Sequence, residues 1–274
     1  MQLGIFAKTF PGNDAATVLK AVRDAGYSCT QFNMACVGLP SMPDDIADAV
    51  IAAIAAAAGD SRVTLSALSA TYNMIHPDRA VRDAGMHRLR VVAQAARALK
   101  IPLVTLCTGT RDPDDQWRHH ADNALPDAWA DLRSEMARAL AIAEAEGVDL
   151  GIEPEQANVV TSARDARRLI DEMGSRRVKI ILDPANLFEQ ATPDEARRIV
   201  AEAVDAADGA IAMAHAKDRR PDGRFATVGE GVVDFPDFLA RLQAAGFDGP
   251  VVTHGLTAAE APKVAAYLAG LVAR

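Results

Sequence analysis

The 274-residue sequence has few cysteines, few aromatic residues, a deficit of positive charge and no long apolar run. Its three cysteines are odd in number and show no CxxC spacing, which argues against a disulfide framework and against a thiolate zinc site. The formal net charge of -8 disfavours binding to nucleic acid, whose protein partners normally present a basic surface. We therefore expect no nucleic-acid partner and a reducing, cytoplasmic environment.

No segment resembles a membrane span or a targeting signal. The longest apolar stretch, AVIAAIAAAAG at 49–59, is too short to cross a bilayer, and the N-terminal MQLGIFAKTFPGND lacks a basic region followed by an apolar core. These absences predict an untargeted protein without a membrane partner.

What the sequence does contain is a repeated unit of a short apolar run followed by a long amphipathic stretch. Two of the amphipathic stretches share one layout: Asp14 is a candidate N-cap with Gly26 as terminator, and TSARDARRLIDEMG repeats that order. Alternation of this kind is typical of βα units in a parallel sheet. The eight apolar runs are 3–7, 29–34, 63–70, 103–107, 149–153, 178–183, 210–215 and 251–254.

Eight βα units in 274 residues match the size of a (β/α)8 TIM barrel, an α/β fold. No linker or composition shift divides the chain, so we predict a single domain over residues 1–274. The phosphate-binding motifs GxGxxG and GxxxxGK[ST] are absent, which disfavours a doubly wound nucleotide-binding sheet. Many barrels of this size associate through their outer helices, so a homo-oligomer is also possible.

Polar residues end four consecutive predicted strands, and in a TIM barrel such positions form the active-site face. Two are carboxylates and two are imidazoles, a mixed oxygen and nitrogen set that suits one divalent cation such as Mn2+, Mg2+, Co2+ or Zn2+. A single acid at a strand end is often only a helix cap or an ion-pair partner, whereas four in succession favour a shared cation. The predicted metal ligands are Glu153, Asp183, His215 and His254.

Further residues near the same predicted face are candidates for substrate binding. Several have an architectural alternative: Lys217 can instead pair with Asp218, and His76 can be an ordinary loop histidine. We expect Trp117 and Trp129, both in the irregular segment 108–129, to form an apolar wall for a sugar. The remaining candidates are Lys8 and Asn33, which we expect at the ends of the first and second strands, and Glu155, a rim residue beside Glu153 in the turn expected after Pro154.

Five motifs, GIEPE, ILDPANL, AHAKD, GEGVVDFPDFL and FDGPVVTHG, resemble in order and spacing the xylose isomerase-like TIM barrels. The resemblance is dense from about 149 to 256 and looser over NMIHPDRAVRDAG and LCTG. It implies a sugar isomerase or epimerase with one divalent metal held at the ends of strands five to eight. The apurinic-endonuclease branch fits poorly, because Cys107, Thr108 and Asn186 stand where its extra zinc ligands are needed.

The sequence departs from the family pattern at two places. His254 stands where the resemblance predicts a glutamate that works with the strand-five glutamate, and Asn186 stands where many relatives have a histidine touching metal or substrate. We expect Glu153 and His254 to be the proton-transfer pair and Asn186 to contact substrate. The expected reaction is isomerisation or epimerisation of a small polyhydroxylated carbonyl compound through an enediolate. A hydro-lyase, a hydrolase or a metal-binding barrel without turnover remains open, because His254 replaces the second carboxylate.

Overall fold

A computed structural model describes residues 1–272 and shows a closed barrel of eight parallel strands. The predicted (β/α)8 TIM barrel is confirmed. The barrel strands, in chain order, are β1 (Gln2–Phe6), β2 (Cys29–Phe32), β3 (Thr64–Ser69), β4 (Leu103–Leu106), β5 (Asp149–Ile152), β6 (Val178–Leu182), β7 (Ile211–Ala216) and β10 (Pro250–Thr253).

Helices follow the strands and form the outer layer. They are α1 (Ala15–Asp24), α2 (Asp48–Ser61), α3 (Arg79–Ala98), α4 (Pro126–Glu146), α5 (Ala163–Met173), α6 (Pro193–Ala207), α7 (Phe235–Ala244) and α8 (Ala261–Val272). The expected caps are confirmed, since Asp14 accepts from the Thr17 amide and Ser162 accepts from the Asp165 amide. Within residues 1–272, no helix combines the length and apolarity that crossing a membrane requires.

Two apolar layers hold the barrel together. One large cluster fills the space between the strands and the helices. A second, smaller cluster fills the interior of the barrel and consists of Ala67, Leu103, Ile181, Met213 and Val252. Because side chains alternate between the two faces of a strand, residues two positions beyond these interior residues also point inward.

A two-stranded antiparallel hairpin interrupts the βα rhythm after β7. It consists of β8 (Asp218–Arg219) and β9 (Phe225–Ala226). It was not predicted from the sequence. Both strands are two residues long and too short to show the alternation from which strands are recognised.

Candidate metal centre

Strand periodicity brings the four predicted ligands to one mouth of the barrel. Asp183, His215 and His254 each lie two residues beyond an interior apolar residue, namely Ile181, Met213 and Val252. Glu153 follows the same rule from Gly151, where an added Cβ would lie 2.7 Å from Ile181 Cδ1 inside the barrel. All four side chains therefore point to the axis at the carboxyl ends of their strands.

The four side chains converge closely enough to share a cation. One potential ligand atom from each of Glu153, Asp183, His215 and His254 lies within 4.8 Å of the others. His254 Nε2 is 3.0 Å from Asp183 Oδ2, and His215 Nδ1 is 3.4 Å from Glu153 Oε1. The two imidazole rings meet edge to face with centroids 4.5 Å apart. Two carboxylates and two imidazoles at this spacing fit a divalent metal ion.

Gln31, on β2, is a member of the site that was not predicted from the sequence. Its Oε1 lies 2.9 Å from His215 Nε2, while its Nε2 donates to the Ser69 hydroxyl at 3.0 Å. An acceptor at Nε2 places the His215 proton there and leaves Nδ1 free to bind a cation, as is usual for metal-binding histidines. The available signal was a glutamine inside the second predicted strand, CTQFNM at 29–34.

Lys217 is part of the centre and does not form the alternative pair with Asp218. Its Nζ donates to Asn186 Oδ1 at 2.7 Å and lies 3.4 Å from Asp183 Oδ2. Asn186 Nδ2 in turn donates to Glu153 Oε1 at 2.7 Å. Asp218 instead accepts four backbone N–H groups from its own loop. Lys217 and Asn186 thus form a hydrogen-bonded bridge between the two carboxylates.

The electrostatics of the centre show that its carboxylates require nearby positive charge. Burial opposes ionisation of Asp183, yet Lys217 and the two histidines hold the pKa of that carboxyl well below its usual range. Burial also acts to lower the pKa of His215, but the charges of Glu153 and Asp183 raise it to about 9. Burial and the charge on His215 lower the pKa of His254. A divalent cation would supply positive charge at the same place, so that His215 would not need to carry a second proton.

Glu155 lies beside the centre in a tight turn, as expected after Pro154. Its backbone N–H donates to the Val160 carbonyl, and its Oε2 accepts from Asn158 Nδ2 at 3.0 Å. Burial and the neighbouring charge of Glu153 raise the pKa of Glu155 to about 7. Near neutral pH this side chain is therefore partly protonated and able to donate a hydrogen bond.

The remaining predicted substrate residues lie near the same end of the barrel in different settings. Lys8 is exposed in the 3-10 helix that follows β1, not at the end of that strand. Asn33 is buried, and its Oδ1 caps the next 3-10 helix through the Ala35 amide. His76 accepts from the Asp78 amide, and its Nε2 lies 3.0 Å from the Pro113 carbonyl. Asn33 Oδ1 and both ring nitrogens of His76 therefore help to hold the conformation of these loops.

The two tryptophans do not form a common wall. Trp117 is 52% exposed in the long loop. Trp129 belongs to α4, where its ring stacks on Arg168 at 4.1 Å and its Nε1 donates to Glu172 Oε2 at 2.9 Å. Trp129 therefore packs against α5, because the helix begins earlier than the sequence pattern indicated.

Comparisons with known proteins agree with this architecture. The chain is similar to 3-keto-D-glucoside 4-epimerase from E. coli, with a TM-score of 0.77 and 16% identity over 98% of this chain and 99% of that one. It is similar to an L-ribulose 3-epimerase, with a TM-score of 0.76 and 19% identity over 99% of this chain and 94% of that one. At such identities the likeness shows a shared fold.

A third solved structure, the IolI protein with a bound zinc atom, has a TM-score of 0.75 and 17% identity over 100% of this chain and 98% of its own. No curated protein sequence matches the chain. The family model of the xylose isomerase-like TIM barrel matches residues 19–271, which is most of the chain. The protein therefore belongs to the xylose isomerase-like TIM barrel family.

Proposed function

We propose that the protein is a cytoplasmic, divalent-metal-dependent epimerase or isomerase of a small sugar or related polyhydroxylated carbonyl compound. The observation that carries this proposal is the convergence of Glu153, Asp183, His215 and His254 at the barrel mouth. Sugar epimerases among the structures of similar fold support it, including D-psicose 3-epimerase and L-ribulose 3-epimerase. The membership of the family supports it as well.

The reaction requires removal of a proton from a carbon next to a carbonyl group. A bound divalent cation acts as a Lewis acid that makes this proton more acidic and stabilises the resulting negative charge. Glu153 is the candidate base, because its carboxylate lies at the mouth and Asn186 Nδ2 fixes one oxygen at 2.7 Å. That hydrogen bond leaves Glu153 Oε2 to accept a proton from substrate.

Polar groups around Glu153 are placed to hold the substrate oxygens. Lys217 Nζ is oriented by Asn186 and carries a positive charge that can contact a developing oxyanion. Glu155, with its pKa raised to about 7, can donate a hydrogen bond to a hydroxyl group. Lys8, Asn33, His76 and Trp117 remain proposed contacts for the more distant part of the substrate. His254 is the candidate for returning the proton on the opposite face, in place of a second carboxylate.

Solvent exchange tests this proposal directly. Metal-loaded protein is incubated in D2O with a panel of ketopentoses, ketohexoses and keto-glucosides, and recovered sugars are analysed by mass spectrometry and NMR. We expect deuterium at one carbon next to the carbonyl, and new epimer or isomer peaks. Glu153→Gln should slow exchange by about 10^2-fold to 10^4-fold, since it removes the base. His87→Gln, at an exposed position of α3, is the matched control.

A second candidate is a barrel that binds metal but has a different reaction or no turnover. The observation that favours it is the short contact between His254 Nε2 and Asp183 Oδ2, which directs the imidazole at the cation position. A histidine that binds the cation through Nε2 has only Nδ1 left to return a proton to carbon, whereas a carboxylate ligand keeps a second oxygen for that step. Stoichiometric bound metal without deuterium uptake across the whole panel would support this second candidate and contradict the epimerase.

A further inference from the structure

We propose that the metal centre selects Zn2+ or Co2+ over Mn2+ and Mg2+, and that His254 is the residue that sets this preference. The inference rests on the metal-binding part of the proposed function. It concerns the identity of the ion, which the reaction class does not fix.

The first support is the balance of donor atoms. The centre offers two imidazole nitrogens and two carboxylate groups, whose ligand atoms lie within 4.8 Å of one another. Imidazole suits Zn2+ and other late first-row ions, whereas Mg2+ and Mn2+ prefer carboxylate, carbonyl and water oxygens. Exchange of one carboxylate for an imidazole at the end of β10 therefore weakens binding of the hard ions more than binding of Zn2+ or Co2+.

The second support is the orientation of both rings. Gln31 occupies His215 Nε2 at 2.9 Å, so His215 Nδ1 is the nitrogen that faces Glu153 and Asp183. His254 presents Nε2 to the same Asp183 oxygen at 3.0 Å. Each imidazole therefore directs a nitrogen at the carboxylates, as two metal-bound histidines must.

The third support is the charge of the site. Of the two converging carboxylates, Asp183 already has a cationic neighbour, because Lys217 Nζ lies 3.4 Å from its Oδ2. Lys217 is buried and held by Asn186, so it cannot swing into solvent without breaking that hydrogen bond. Its charge offsets one of the two carboxylates. Hard cations, which are bound mainly by ligand charge, gain less from such a site than ions that form strong bonds to nitrogen.

Competition between metals tests the proposal without any measurement of turnover. Chelator-stripped protein is dialysed against mixtures of Zn2+ with Mn2+, and of Co2+ with Mg2+, at buffered free concentrations, and bound metal is counted by inductively coupled plasma mass spectrometry. Because most protein sites favour Zn2+ over Mn2+, the decisive quantity is the change of the ratio in a variant. We expect His254→Glu to shift the bound ratio towards Mn2+ by at least about tenfold.

Two further measurements make the test specific. His87→Glu adds the same carboxylate on an exposed part of α3 and should leave the ratio unchanged. The visible spectrum of the Co2+-loaded protein reports direct ligation, and we expect it to change in His254→Ala and in His254→Glu but not in His87→Glu. The wild-type spectrum, which should show nitrogen ligation, remains informative even where a variant folds poorly.

The outcomes separate this inference from the proposed function. An unchanged ratio in folded His254→Glu, or a wild-type protein that takes Mn2+ in preference to Zn2+, overturns the metal preference. If deuterium exchange still occurs in that case, the epimerase proposal stands alone. If the ratio shifts as expected but no sugar exchanges deuterium, the preference stands and the epimerase proposal fails.

Discussion

Among single residues, Gln31 offers a direct test of how the metal centre is supported. Gln31→Ala removes the acceptor at His215 Nε2, so the ring can take the wrong tautomer or rotate. We expect metal affinity to fall by about 10-fold to 100-fold, measured by competition with a chelating dye. Gln94→Ala, at an exposed position of α3, is the matched control and should bind metal as the wild type does. Equal affinity of Gln31→Ala and wild type would contradict the supporting role of Gln31.

The cysteines provide a second test at this scale. Burial raises the pKa of Cys36 to about 11, and it also raises those of Cys29 and Cys107. Since the thiolate is the reactive form, only a small fraction of each thiol is reactive at pH 8. We expect iodoacetamide to leave all three unmodified in the native protein and to alkylate all three in denaturant, as followed by mass spectrometry. Rapid modification of native Cys36 would contradict its buried environment.

The convergence of the four candidate metal ligands was predictable from the sequence because each ends an apolar run, and strand periodicity then fixes the side it faces. Glu153, Asp183 and His254 lie directly after their strands, and His215 lies inside its strand by one residue. Gln31 was not predictable in its role, since its partners come from three other strands. Lys8, in contrast, was predicted at the end of β1, and that position was wrong. The chain turns into a 3-10 helix before it reaches Lys8, and no local signal marks that turn.

At the scale of elements, the loop between β7 and α7 depends on one buried carboxylate. Asp218 accepts backbone N–H groups from Arg219, Gly229, Gly231 and Val233 at 2.8 to 3.1 Å. A Cβ at Gly231 would lie 2.2 Å from Asp218 Oδ1 and 2.3 Å from the Arg219 carbonyl. We expect Gly231→Ala to lower the free energy of unfolding by about 2 to 4 kcal/mol, measured by urea denaturation.

A glycine in open space provides the control for that experiment. Gly59 lies in α2 with no atom within 4 Å of an added Cβ. Gly59→Ala should stabilise the protein by about 0.5 to 1 kcal/mol, because alanine loses less backbone freedom in a helix. If Gly231→Ala unfolds at the same urea concentration as the wild type, the loop does not depend on the Asp218 contacts.

The helices and strands of the barrel were easier to predict than this loop. Capping residues such as Asp14 and Ser162 mark helix starts with a side chain that is visible in the sequence. In the GEGVVDF motif, Asp234 likewise caps α7, where its Oδ1 accepts from the Asp237 amide. The hairpin partner of that motif was not predictable, because Asp218 acts through contacts with residues 11 to 15 positions away.

For the whole molecule, metal binding at the proposed centre would add to the stability of the fold. A cation that binds only the folded state stabilises it by about 2.7 kcal/mol at a hundred times its dissociation constant. We therefore expect saturating Zn2+ or Co2+ to raise the melting temperature by several degrees in differential scanning calorimetry. Asp183→Ala should abolish both the bound metal and this shift. Full stoichiometry of metal in Asp183→Ala would remove that residue from the centre.

Barrel closure has a consequence for the growing chain. Strand β1 is hydrogen-bonded to β10, so Gln2, in the first strand of the barrel, pairs with Pro250, in the last. During synthesis on the ribosome, one edge of β1 remains unpaired until nearly the entire chain has been made. A translation product that stops before β10 exposes the edges of both β1 and β7, and such strand edges recruit other chains. Stalled or truncated synthesis should therefore lead to aggregation and proteolysis instead of a smaller folded barrel.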